Sequence, residues 1–287
     1  MKDSSHLFKS RSIAPGVTLI EGVACEYCYL VEGSRLALLI DTLTGVGDLR
    51  AYCERLTRLP LEVVNTHGHF DHTGGNFQFD GVRIHPADVR LMYQNCGLSR
   101  RFRFATGQTG PGHRPPWSMD DIVPVREIEC RSIVGGEVLD LGGRRLELID
   151  SPGHTRGSMC LLDRENGIFF AGDSCNTNTL LHFEESSSIE EYLSTLRKLK
   201  ELGGAITTYL ICHEDTPLDK SCIDDAIECC EAILDGSDDG EEAVAMGLPC
   251  RYAKARRRDG KRLDGRLGNV AYDPARKRAG TIRSDGP

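Results

Sequence analysis

The residues best equipped for chemistry stand close together. Thr66-His67-Gly68-His69-Phe70-Asp71-His72 follows the apolar run Leu61–Val64 and places three imidazoles and a carboxylate within six residues. In an extended segment, side chains two apart share a face, so His67 and His69 can close on one ion. Asp71 and His72, one step along, can serve a second ion beside it. That donor mixture suits zinc or a similar borderline metal. A solvated polar loop is the plain alternative, but Gly68, Gly74 and Gly75 permit the tight backbone that a ligand cluster requires.

Further candidates stand where other apolar runs end. Ser151-Pro152-Gly153-His154-Thr155 follows Arg145–Ile149, Ala171-Gly172-Asp173-Ser174 closes Ile168–Ala171, and His213 follows Ile206–Cys212. Folds that alternate strands and helices gather their sites at such strand ends. Cys28–Val31 and Leu36–Ile40 flank Glu32-Gly33-Ser34 as a hairpin, and Leu61–Val64 and Val82–Ile84 read as strands. Helices are expected over Val46–Leu56 and over Pro86–Tyr93, the latter opened by its proline. Glu137–Leu141 turns into Arg145–Ile149 at Gly142-Gly143, and Met159–Leu162 into Ile168–Ala171 at Asn166-Gly167. Ser188 and Glu191 form a capping box for a helix with Ile189, Tyr192, Leu193, Leu196 and Leu199 on one face. Ile206–Ile211 reads as a buried strand, Cys222–Leu234 as a helix and Asn269–Tyr272 as a short strand. Between Cys96 and Val134 periodicity lapses, and residues 96–134 read as an irregular insert and candidate lid.

HxHxDH followed by PGHT, GD and a late strand-end histidine resembles the metallo-β-lactamase-fold hydrolase superfamily across roughly Ile13 to Glu214, on its glyoxalase II-like and lactonase-like side. The resemblance implies an α/β (α+β) fold, a four-layer αββα sandwich with two mixed sheets face to face and helices outside. It implies two divalent metal ions, one taken by His67, His69 and His154 and the other by Asp71, His72 and His213. Asp173 would bridge both, with Asp41 behind the site. Zinc is the expected metal, with iron or manganese as alternatives. Such a pair shares a hydroxide, which Asp71 would orient as the catalytic residue before passing a proton to the leaving group. The implied reaction is hydrolysis of an ester, thioester or lactone-type carbonyl in a small-molecule substrate. A phosphodiesterase or ribonuclease-type enzyme, a β-lactamase-like hydrolase and a mono-iron sulfur dioxygenase stay open as alternatives. The bridging Asp173 disfavours true β-lactamases, and His69 disfavours diiron oxidoreductases, which usually carry glutamate there.

Composition sets outer limits. The chain has 287 residues, 39% hydrophobic and 27% charged, which is ordinary for a globular protein. A hydrolase domain over 1–235 is expected, with a basic extension over 236–287 packed on the same domain. No apolar run is long enough for a membrane helix, and a net charge of −8 disfavours nucleic acid. Twelve scattered cysteines fit reduced thiols in the cytoplasm, and a homodimer stays open. Cys25 and Cys28 have CxxC spacing but read as an alternating strand, Cys212 is expected to point away from the metals, and Cys229 and Cys230 to pack in a helix. His85 is expected to be structural, while His6, His113 and His182 default to surface or loop positions. Tyr93 and, in the insert, Arg100, Arg101, Phe102, Arg103, Phe104 and Trp117 are candidates for contact with an acidic or apolar substrate.

Overall fold

Successive side chains of a strand face opposite ways, and in this chain both ways often lead to an apolar interior. The computed structural model describes residues 5–108, 115–214 and 216–279. Its first sheet holds β1 (Lys9–Ala14), β2 (Val17–Glu21), β3 (Tyr27–Glu32), β4 (Ala37–Ile40), β5 (Leu61–Val64), β6 (Gly81–Ile84) and β7 (Glu129–Ser132), in that spatial order. Pairing is antiparallel from β1 to β4 and parallel from β4 to β7. On β4, Leu38 and Ile40 enter a core shared with the second sheet. Ala37 and Leu39 enter another, beneath α1 (Leu49–Leu56), α2 (Phe70–Thr73), α3 (Pro86–Asn95) and α4 (Leu98–Gly107).

The second sheet is built from β8 (Val138–Asp140), β9 (Arg145–Asp150), β10 (Met159–Asp163), β11 (Ile168–Phe170) and, beyond β12 (Thr179–Leu181), β13 (Thr208–Leu210). Met159 and Leu161 of β10 face the first sheet, whereas Cys160 and Leu162 face α5 (Ile189–Glu201) and α6 (Ser221–Asp235). Helices, sheet, sheet and helices therefore stack as the expected αββα sandwich. Strands sandwiched on both faces read as continuous apolar runs, which is why β4 and β10 stand out in the sequence.

Three features depart from the sequence reading. The first helix starts at Leu49 rather than Val46, because the Asp48 carboxylate caps it by accepting from Ala51 N at 2.9 Å. Residues 96–134 are not wholly irregular, since they contain α4 and β7. Finally, beside the two expected sheets stands a third, four-stranded one, in which β12 pairs with β16 (Val270–Tyr272), followed by β15 (Leu248–Tyr252) and β14 (Glu241–Ala245). Among the described residues, no helix is long and apolar enough to cross a membrane.

Candidate metal centre

Each chemically equipped residue follows the end of a strand, and the sandwich brings those ends together along one edge. Asp41 follows β4, the His67–His72 segment follows β5, His154 follows β9, Asp173 follows β11 and His213 follows β13. α2 curls the backbone so that Asp71 and His72 turn back towards Asp173 and His213. His67 Nε2 lies 3.1 Å from His69 Nδ1, which lies 2.9 Å from His154 Nε2. Asp71, His72 and His213 form a second set. Asp173 Oδ2 stands between the two, 3.6 Å from His154 Nε2, 3.7 Å from His72 Nε2 and 3.2 Å from His213 Nε2. All seven expected ligands thus converge.

The nitrogens facing away from the centre are held by fixed acceptors. His154 Nδ1 donates to the Leu180 carbonyl at 2.8 Å, which leaves Nε2 with its lone pair inward. His69 Nε2 meets the Glu185 carboxylate at 2.7 Å. Asp41 serves both sets from a backbone φ of +65°, an uncommon conformation for a residue other than glycine. Its Oδ2 accepts from His72 Nδ1 at 2.8 Å and from Thr66 Oγ1 at 2.7 Å, and Thr66 Oγ1 lies 3.2 Å from His67 Nδ1. Buried Asp88 on α3 ties the two principal motifs together, accepting from Gly68 N at 2.8 Å, Thr155 Oγ1 at 2.6 Å and Gly157 N at 2.9 Å. A Cβ at Gly68 would fall 2.7 Å from the Asp88 carbonyl oxygen, so this approach requires glycine.

The two sets differ electrostatically. Burial, together with His72, holds His67 well below its ordinary value, and burial with His69 takes His154 down to about 4. Burial also opposes protonation of His72 and His213, yet Asp41 beside the one and Asp173 beside the other outweigh it and raise them to about 9 and about 10. His67 and His154 therefore favour the neutral imidazole, whereas His72 and His213 are each held against a carboxylate. Buried His72 Nε2 and Asp173 Oδ1 have no hydrogen-bond partner in the described structure. Such orphans are rare, and divalent cations between the two sets would satisfy both. The donors, nitrogen and carboxylate oxygen, fit zinc-like ions.

A cavity of about 310 Å³ opens over these residues, with Phe70, Phe104, Leu180, Phe183 and Met246 among its walls. The insert supplies Arg100, which lies over the Phe70 ring, and Phe104. Arg101 is a correction: it is fully buried and donates to the carbonyls of Thr44, Gly74 and Val123 rather than to any substrate. Phe102 and Trp117 pack edge to face on the outer core, and Arg103 is exposed. Tyr93 packs on that core too, and His113 lies outside the described residues.

Cys212 does not point away. β13 ends at Leu210, so strand alternation no longer governs Cys212, and its thiol lies 3.5 Å from Asp41 Oδ2. His182 is buried, not at the surface, with Nε2 donating to the Ala245 carbonyl at 3.1 Å. His85 caps α3 as expected of a structural residue, and Cys229 and Cys230 are buried in α6. Cys28 is buried in β3, but Cys25 precedes that strand, exposed and with a backbone φ of +59°, so strand alternation does not reach it. The sequence reading missed Glu185, which carries no motif and lies in an acidic stretch. Burial opposes its ionisation, but its bond to His69 takes it down to about 2.

Comparison with known proteins bears on this geometry. Residues 26–213 match the family described as the metallo-beta-lactamase superfamily. Over 187 residues, the chain is 32% identical to the human acyl-coenzyme A thioesterase MBLAC2, covering 61% of this chain and 67% of that protein. It is 27% identical over 197 residues to the atrochrysone carboxyl ACP thioesterase of Aspergillus fumigatus, covering 66% of this chain and 50% of that one. The solved metallo-beta-lactamase from Pontibacter korlensis superimposes with a TM-score of 0.57 at 16% identity, over 77% of this chain and 97% of its own, a likeness of fold.

Proposed function

Since the chain belongs to the metallo-beta-lactamase superfamily of hydrolases, we propose that it is a binuclear metal-dependent thioesterase. The observation that carries the binuclear reading is the position of Asp173 Oδ2 within 3.7 Å of nitrogens from both ligand sets. Thioester as the scissile bond rests on the relatives, two of which are named thioesterases. His67, His69 and His154 would hold one ion, Asp71, His72 and His213 the other, and Asp173 both. Ions there would activate water near neutral pH and polarise the thioester carbonyl.

The chain's own groups do the rest. Asp71 Oδ2, at the cavity wall and 3.7 Å from His213 Nε2, would orient the attacking water and return a proton to the departing thiol sulfur. Phe183, with its ring 5.3 Å from His69 and 5.7 Å from His154, shields the centre from solvent. Exposed Arg100 offers a cation to an anionic thiol carrier.

A panel of acyl thioesters, carboxylic esters, lactones, β-lactams and bis(p-nitrophenyl) phosphate, run beside elemental analysis, tests this reading. The expected result is fastest hydrolysis of a thioester with two metal ions per chain. Preference for the phosphodiester, or full activity with one ion per chain, overturns it.

Glu185 yields a separate prediction. A carboxylate on the outer nitrogen of a ligating histidine fixes the ring and raises its basicity, so Glu185→Ala should weaken the first ion by about 10–100-fold. Chelator competition measures this, and Glu185→Gln, which keeps an acceptor for His69, should fall between. Equal affinity in all three proteins would show that Glu185 does not support His69.

A further inference from the structure

Met246 lies well beyond the matched family segment, yet it lines the cavity that holds the candidate metal ligands. We propose that Met246 is a specificity-determining residue that packs against the acyl group, so that the site favours apolar acyl chains over short ones. The proposal rests on the thioesterase reading.

The backbone supplies the first argument. Ala245 pairs with Leu248, so Met246 and Gly247 form a two-residue hairpin loop, with φ of +51° and +80°. Two successive positive values are the mark of a type I′ turn, whose first position normally falls to Asn, Asp or Gly. A long apolar side chain there strains the backbone without helping the turn, and such outliers cluster at functional positions. Met246 stands at the rim of the cavity, lining it while about half exposed at 54%.

The hairpin is also fastened to the metal centre. His182 holds the Ala245 carbonyl, and the His182 ring lies 4.4 Å from that of Phe183, which packs against His69 and His154. Leu180 gives its carbonyl to His154, while its side chain lines the cavity and packs on the small core of Cys250, Tyr252 and Ala271 beneath the hairpin. Apolar surface therefore runs from the ligands through Phe183 and Leu180 to the turn. Exposed Val244 and Leu248 flank Met246 on the hairpin.

Acetyl- and octanoyl-coenzyme A, offered to the metal-loaded wild type, Met246→Ala and Met246→Asn, test the proposal. Asparagine suits the turn better than methionine, so Met246→Asn should keep the hairpin and its Tm while removing the apolar contact. The octanoyl-to-acetyl ratio of kcat/KM should fall about tenfold in both variants, mainly through KM. Calorimetric titration with octanoate against acetate should lose the same discrimination, and this readout needs no turnover. If the wild type hydrolyses neither thioester, the thioesterase reading fails while the titration still decides the role of Met246. An unchanged ratio and unchanged octanoate affinity in both variants overturn the proposal. So does a result in which the variants alter only sedimentation with phosphatidylcholine vesicles or the oligomeric state.

Discussion

Asp173→Ala is expected to keep one metal ion, lose the other and lower kcat/KM by roughly 10²–10³-fold, equivalent to about 3–4 kcal/mol of transition-state stabilisation. Two cations held a few ångströms apart repel one another, and a carboxylate between them offsets that repulsion. Asp173 Oδ2 faces nitrogens of both ligand sets and has no substitute among them, because Asp71 approaches only His72 and His213. His67, His69 and His154 keep their geometry without it, so the first ion should stay. Elemental analysis and steady-state kinetics together decide the matter. Two ions retained at wild-type activity would remove Asp173 from the bridging role.

The second large effect is on stability. Arg101→Ala should cost about 3–4 kcal/mol, read as a shift in denaturant midpoint, because the buried carbonyls of Thr44 and Gly74 and the partly buried one of Val123 lose their donor and a cavity replaces the side chain. Burial lowers the tendency of this guanidinium to hold its charge, so the site bears a real desolvation cost that its hydrogen bonds offset. One of its acceptors, the Gly74 carbonyl, adjoins the metal-binding segment, so metal affinity should weaken along with stability. Arg101→Lys should recover only part, since one ammonium cannot reach Thr44, Gly74 and Val123 together. A loss below about 1 kcal/mol for the alanine variant would mean that the carbonyls find other donors.

The seven convergent residues were legible because each lies just beyond the end of an apolar strand, as a histidine or aspartate where the apolar run has given way. The buried strands were legible because both their faces are covered, and α5 because Ser188 and Glu191 satisfy each other's backbone at its start. What escaped notice lacked such contrast. α4 buries Arg101 and Ala105, so no apolar period marks it, and an arginine reads as surface until its acceptors are known. β12 has three residues, too few for a pattern. The β14–β15 hairpin turns on Met-Gly, which carries no turn signal in its first residue. Glu185 reaches His69 across 116 positions of sequence, a distance that spacing arguments cannot bridge.

The seam between the two sheets gives this centre a mechanical side. His67, His69, Asp71 and His72 belong to the first sheet's half of the sandwich, while His154, Asp173 and His213 belong to the second sheet's half. Ions bound by both halves would act as a clasp, so free metal concentration would enter the folding equilibrium directly. By mass action each ion adds RT ln(1 + [M]/Kd), about 4 kcal/mol when it is present at a thousand times its dissociation constant. Metal scarcity would then loosen the rim of the sandwich as well as silence its chemistry, even though no ion touches the hydrophobic interior. A thermal shift on chelation would register the clasp without any substrate at all.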